Sequence, residues 1–293
     1  MLTYHSIQHL VEVAQSSKKR LSSLILEDQV IQLERSAEDL YNDMAYRLSI
    51  MKQALAKGIT SPAKSPSGLS GGAAFKLRKA IDAGRAIGGK ILSETLMKAL
   101  AMAEVNACMG IIVAAPTAGS CGILPAVLIT LQEENDIPDS SLIMSLFTAA
   151  GIGMVISGKA SMSGAEGGCQ AECGSASAMA AAAAVELLGG TPQMSAHACA
   201  FALKNILGLV CDPVAGLVEV PCVKRNASGA ANALVAAELA LAGIESVIPA
   251  DEVIDAMKRI GDIMQPIYKE TAEGGLAATP TGITIARRFF ESP

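Results

Sequence analysis

Tryptophan is missing from this 293-residue chain, and tyrosine and phenylalanine number only four and five. An interior with so few rings has to be closed by small side chains, which let neighbouring helices approach closely. Charge is also scarce at 17%, the net charge is -5, and no basic run is longer than Lys18-Lys19-Arg20. The electrostatic footprint of a nucleic-acid binder is therefore absent. Alternating β-branched stretches are almost lacking, which argues against a sheet. One charge-free stretch, residues 140–158, has 19 positions and meets the bare length of a membrane span. Its Ser140, Ser141, Ser145, Thr148 and Ser157 instead suit a helix packed inside protein, so a buried core helix and no membrane is expected. Seven cysteines, an odd number spread through apolar segments, argue against a secreted disulfide framework and for a reducing compartment. His5, Gln8, His9 and Glu12 interrupt any signal-like apolar run at the start, so a cytoplasmic location is expected.

What is present is helical. Hydrophobic residues reach 51% and glycine 27 positions, enough chain for a sizeable core. Over residues 6–58, Leu40, Met44, Leu48, Met51 and Leu55 recur at three- and four-residue steps, predicting two or three amphipathic helices with Gly58 as the stop. Residues 59–72, with Pro62, Pro66 and several serines and glycines, read as a plain linker or a substrate-facing loop. Helical spacing resumes at Ala73 and again at Ser93, a suitable N-cap. Ile111 to Ala115 has the look of a short strand, but no alternation of strands and helices follows it. Further helices are expected at 123–134, 142–157, 171–188, 195–209, 227–242 and 251–264. The expected class is all-α: a compact multi-helix domain with small-residue helix packing. Its N-terminal helices (1–58) would pack on a body (73–293) across the 59–72 segment, as one continuous domain.

Four cysteine motifs stand out. Gly167-Gly168-Cys169-Gln170-Ala171-Glu172-Cys173, Cys211-Asp212-Pro213 and Pro221-Cys222 put cysteines beside glycine pairs or prolines, where the backbone turns and a thiol can face a shared pocket. Thr117-Ala118-Gly119-Ser120-Cys121-Gly122 precedes a helix start. A pocket of thiolates suggests a metal, although the spacing is not a ferredoxin run. On geometry alone Cys121 or Cys173 is an equally good fourth ligand, whereas Cys108 and Cys199 lie in helical apolar runs and read as packed core thiols.

Together with Ala115-Pro116-Thr117-Ala118-Gly119-Ser120-Cys121-Gly122-Ile123-Leu124-Pro125-Ala126, these motifs resemble the alpha chain of the iron-sulfur L-serine dehydratases, over most of residues 67–285. The resemblance implies loop-borne ligands Cys169, Cys211 and Cys222 for a [4Fe-4S] cluster with one iron open. It also implies L-serine as substrate, pyruvate and ammonia as products, a role in amino-acid catabolism and gluconeogenesis, and a separate beta chain in a hetero-oligomer. Thr117, Gly119 and Ser120, at a helix start with free N–H groups, are candidates for the substrate carboxylate; the alternative is an N-cap in which Ser120 serves its own helix. Ser163 and Gly168 are second-rank substrate candidates, and Glu166 is a candidate for orienting the amine or pairing with a lysine. No convincing base is present; Lys159, Lys224 and His197 are the weak candidates, so a base from the partner chain is expected. Pyridoxal phosphate is not expected, because no glycine-rich phosphate loop or α/β sheet is seen. A related L-cysteine desulfidase and a non-catalytic iron-sulfur subunit are the competing readings. The chain ends Phe289-Phe290-Glu291-Ser292-Pro293, so the terminal cysteine of single-chain family members is not expected to reach a cluster here.

Overall fold

The computed structural model describes residues 5–290; Glu291, Ser292 and Pro293 of the last motif lie outside them. Among the described residues there are thirteen α-helices and no strand. They are α1 (Ile7–Ser17), α2 (Leu21–Leu33), α3 (Ala37–Thr60), α4 (Ala73–Asp82), α5 (Gly89–Ala107), α6 (Ile123–Glu134) and α7 (Asp139–Lys159), followed by α8 (Gly164–Gly167), α9 (Cys169–Leu187), α10 (Pro192–Lys204), α11 (Cys222–Leu241), α12 (Ala250–Ile263) and α13 (Pro280–Phe290). The all-α expectation holds, and Ile111 to Ala115 is extended chain without a strand partner.

Alanine decides the arrangement. Every residue of α9 except Glu172 is buried, and most are Ala, Gly or Ser. A helix that is apolar or small all round has no solvent face and becomes the core element. Four helices, α6, α7, α10 and α11, pack around it. A second layer forms where α5 packs on α3, α4, α6 and α11, while α1 and α2 cover α10 and α7. The charge-free helix α7 is long and apolar enough to cross a membrane by length and composition, yet it is mostly buried inside the protein.

Two local expectations change. Gly58 does not stop a helix: α3 continues to Thr60, and Gly58 lies inside it where a Cβ would collide with the backbone of Ala101 on α5. Close helix approach, not termination, is what requires glycine there. Ser93 is buried inside α5, which starts a turn earlier at Gly89.

Three carboxylates tie the loops down. Asp251 on α12 accepts from the backbone N–H groups of Ile7 (2.9 Å) and Gln8 (3.0 Å), capping α1. Glu104 does the same for α4 through Ala73 (2.7 Å) and Ala74 (3.1 Å). Glu219 accepts from the hydroxyls of Ser65 (2.6 Å), Ser67 (2.7 Å) and Ser70. The 59–72 segment is thus pinned to a residue three positions before Cys222.

Candidate metal centre

The first turn of α9 carries Cys169, Glu172 and Cys173, which a helix places on one face at i, i+3 and i+4. Gly168 makes this start possible: its φ is +73°, and a Cβ there would meet Met264 Sδ at 2.7 Å and the Leu209 carbonyl at 2.9 Å. Gln170 then anchors the turn, its amide bonding to Gly208 N–H (2.9 Å) and the Met257 carbonyl (3.0 Å) while its own N–H meets Leu209 O (2.9 Å). The Cys169 and Cys173 sulfurs lie 3.3 Å apart. One ligand atom from each of Cys169, Glu172 and Cys173 lies within 4.8 Å of the others, a set that can hold a metal ion.

Two further thiols arrive on separate segments. Cys211 sits in a single parallel bridge to Lys269, its N–H on Tyr268 O (2.8 Å) and its carbonyl accepting from Glu270 N–H (2.9 Å). Gly164 of α8 packs on its sulfur: a Cβ there would be 3.0 Å from Cys211 Sγ and 3.4 Å from a Glu270 carboxylate oxygen. Residues 269–282, rich in glycine and threonine, therefore lie against Cys211 and its neighbour: Leu276 N–H bonds to Asp212 Oδ2 at 2.8 Å. Cys222 opens α11, and one turn later Asn226 clamps the Thr117 loop by donating to Gly119 O (2.7 Å) and accepting from Gly122 N–H (2.8 Å). Arg225, from the same turn, pairs with Asp212 (2.9 Å) and donates to Val210 O (2.9 Å).

Electrostatics separates these thiols. The hydrogen bond from Cys173 pulls the Cys169 pKa down against burial, helped by the Arg225 charge. Cys173, facing Cys169, is pushed up by that contact and by burial. Burial pushes Cys222 up to about 12, and Cys211 higher still, each aggravated by Cys169. One thiol made easier to ionise, beside three that it and burial push up, fits a cationic, thiophilic group, whose binding would displace their protons.

The loop ahead of α6 does not act as a simple cap. Ser120 is fully buried, and its hydroxyl pairs with Thr117 Oγ1 (2.9 Å) while α6 has no side-chain cap. Thr117 Oγ1 also donates to Glu172 Oε1 at 2.5 Å. Burial pushes the Glu172 pKa up, Thr117 opposes this, and Glu270 adds to it.

The other candidates are placed less centrally. Ser163 precedes α8 without capping it through its side chain, and Glu166 is exposed. Glu166 lines a cavity of about 390 Å³ with Lys159, Lys258 and Asp262, and no cysteine lines that cavity. Lys159 is held by Asp251 and Asp255 at 3.3 Å each, and Lys224 is exposed. His197 Nδ1 accepts from Ser246 N–H at 3.2 Å, the behaviour of a packing histidine. Cys121 and Cys199 are buried core thiols, both pushed up to about 12 by burial. Cys108 differs from expectation: it ends α5, half-buried, beside Lys57 and Lys64. Sequence reading overlooked Glu172, Arg225 and Asn226, although Glu172 shares the cysteines' helical face and Asn226 stands four residues after Cys222.

Comparison with known proteins bears on this arrangement. The family described as "Serine dehydratase alpha chain" matches residues 16–277. This chain belongs to that family. Among its relatives, the "Probable L-serine dehydratase, alpha chain" of Bacillus subtilis (strain 168) is 49% identical over 287 residues, covering 98% of this chain and 95% of the relative. The "L-serine dehydratase, alpha chain" of Peptoniphilus asaccharolyticus is 42% identical, covering 98% of each. The "L-serine dehydratase 2" of Escherichia coli (strain K12) is 37% identical across 94% of this chain, which spans only 61% of that longer relative. In the serine dehydratase alpha family, then, the part represented here occurs both as a chain of its own and inside a longer one.

Proposed function

We propose that this chain is the alpha subunit of an L-serine ammonia-lyase, acting with a beta chain to convert L-serine to pyruvate and ammonia. The observation that supports the reading is that Cys169, at the start of α9, acts electrostatically on both Cys211 and Cys222 from two other segments, with the turn of Cys222 tied to the Thr117–Gly122 loop. On this reading the three thiolates hold a [4Fe-4S] cluster. When bound, the cluster supplies a Lewis acid at an iron without a protein ligand, which lowers the cost of losing hydroxide by several kcal/mol.

The chain's own groups do the rest. Among the described residues the backbone N–H groups of Ala118 and Gly119 make no hydrogen bond within the chain, so they are open to a substrate carboxylate. Asn226 holds that loop to the turn bearing Cys222, fixing carboxylate site and thiols relative to each other. Loss of the Cα proton and the β-hydroxyl gives aminoacrylate, which tautomerises to an imine and hydrolyses. The base is assigned to the beta chain, because Lys159 is paired twice, Lys224 is exposed and His197 Nδ1 is taken.

A second reading rests on Cys173. Its sulfur, 3.3 Å from that of Cys169, makes a four-thiolate closed site conceivable, as in an electron carrier. Anaerobic reconstitution with iron and sulfide, then turnover of L-serine and L-cysteine with and without the beta chain, separates the readings. Serine turnover that appears with the beta chain supports the lyase; sulfide release from L-cysteine alone would move the chain to the desulfidase. A Cys173→Ser protein that loses its iron would favour the closed, non-catalytic site.

A further inference from the structure

We infer that Glu172, not Glu166, receives the ammonium group of the amino-acid substrate and so sets its orientation against the Thr117–Gly122 loop. The inference rests on the serine reading, since it needs a substrate with both an ammonium and a carboxylate. Four observations point to Glu172. It is the single residue of α9 that is not buried, on the same face as Cys169 and Cys173. Its Oε1 is held by Thr117 Oγ1 at 2.5 Å, while no donor among the described residues meets Oε2.

Gly119 is fitted to the carboxylate: a Cβ there would lie 2.6 Å from Oε1 and 3.0 Å from Oε2, so the open N–H groups of the loop and the carboxylate are immediate neighbours. Finally, the nearby cation is committed elsewhere, because Arg225 serves Asp212, Val210 O and Cys169. A half-buried carboxylate with one fixed oxygen, one open oxygen and no cation is complementary to an ammonium ion. With the substrate carboxylate on Ala118 and Gly119 and its ammonium on Glu172, the third substituent is left to face the thiols. Three fixed directions at Cα are what a choice between L and D substrates requires.

The test uses the reconstituted holoenzyme with its beta chain, comparing wild type with Glu172→Gln, which keeps the shape and the Thr117 contact. Measured are kcat and KM for L-serine, iron per chain, and the inhibition constant of 3-hydroxypropanoate, which is serine without its ammonium group. Loss of a charged hydrogen bond predicts a rise in KM of about 10- to 100-fold. Iron content should be unchanged, and inhibition by 3-hydroxypropanoate should shift by less than about threefold. Gly119→Ala, which pushes the carboxylate aside, should raise KM in the same direction. Iron loss in Glu172→Gln would make the residue a metal ligand and overturn the inference. So would an unchanged KM, or an equal weakening of serine and 3-hydroxypropanoate. If wild type itself turns over no L-serine, the functional reading falls and takes the inference with it; the other adverse outcomes leave that reading standing.

Discussion

Cysteines are buried in two regions of this protein, and burial does not tell them apart. In the helix interior, Cys199 has 0% exposure; at the end where the loops return, Cys169, Cys211 and Cys222 have 1–5%. The difference lies in what surrounds them. Cys199 sits in an alanine-rich helix with only a distant carboxylate acting on it, and burial dominates its ionisation. Around Cys169 stand a second thiol and Arg225, which ease its ionisation against both burial and Glu172, while Cys211 and Cys222 stay pushed up, with Cys169 adding to burial. A dry environment alone makes a thiol inert, whereas a dry environment with converging charges prepares it for a metal.

The strongest way to break this contrast is substitution. Cys169→Ser, Cys211→Ser and Cys222→Ser are each expected to abolish or fragment the reconstituted cluster and remove activity, whereas Cys199→Ser should keep its iron. Iron and sulfide analysis of anaerobic preparations decides it; a Cys211→Ser protein with a full complement of iron and full activity would falsify the ligand set.

Next in size is Arg225→Gln. This change strands Asp212, which is 3% exposed and whose Oδ1 has no directed hydrogen bond despite the 2.9 Å ion-pair contact. Breaking a buried pair costs about 3 kcal/mol. Urea unfolding of the metal-free protein measures it, and a change under about 1 kcal/mol would mean that the pair is relieved by water.

Glu219→Gln should cost about 2 kcal/mol at neutral pH, because charge-assisted bonds from three serines are weakened. Burial raises the Glu219 pKa, but the three hydroxyls outweigh it and the net shift is downward. A carboxylate depressed in the folded state contributes fully above its unfolded value of about 4.3 and loses that contribution as pH falls through the folded pKa. The stability gap between wild type and Glu219→Gln should therefore close below about pH 4, as followed by unfolding at several pH values. A gap independent of pH would mean that the serines respond to shape and not to charge.

The smallest effect is expected at Cys199→Ala, about 1 kcal/mol from a lost sulfur in a tightly packed helix, with iron content untouched. Thermal melting of the metal-free protein would detect it; iron loss there would erase the contrast between the two regions.

The amino-acid sequence by itself determined the class and the anchor points. Missing aromatics, missing β-alternation and a run such as Ala180 to Ala184 leave close helix packing as the way to bury this chain, and glycine or proline beside Cys169, Cys211 and Cys222 marks the turns that present them. Only the tertiary structure decided which groups share the space around those thiols. Glu172 meets Thr117 across 55 positions, Asn226 meets Gly122 across 104, and Glu219 meets Ser65 across 154. Local periodicity carries no information about such partners, because it records which face a side chain occupies and not what packs against that face. The same holds for Gly58, which reads as a helix stop in isolation and becomes a contact point once α5 is laid against it. Likewise, Lys159 and Glu166 resemble site residues by their nearness to the motifs. Their placement by α7 and α8 directs both to a cavity that the cysteines do not line, since a change of direction at Gly168 separates neighbours in sequence as effectively as packing unites residues far apart.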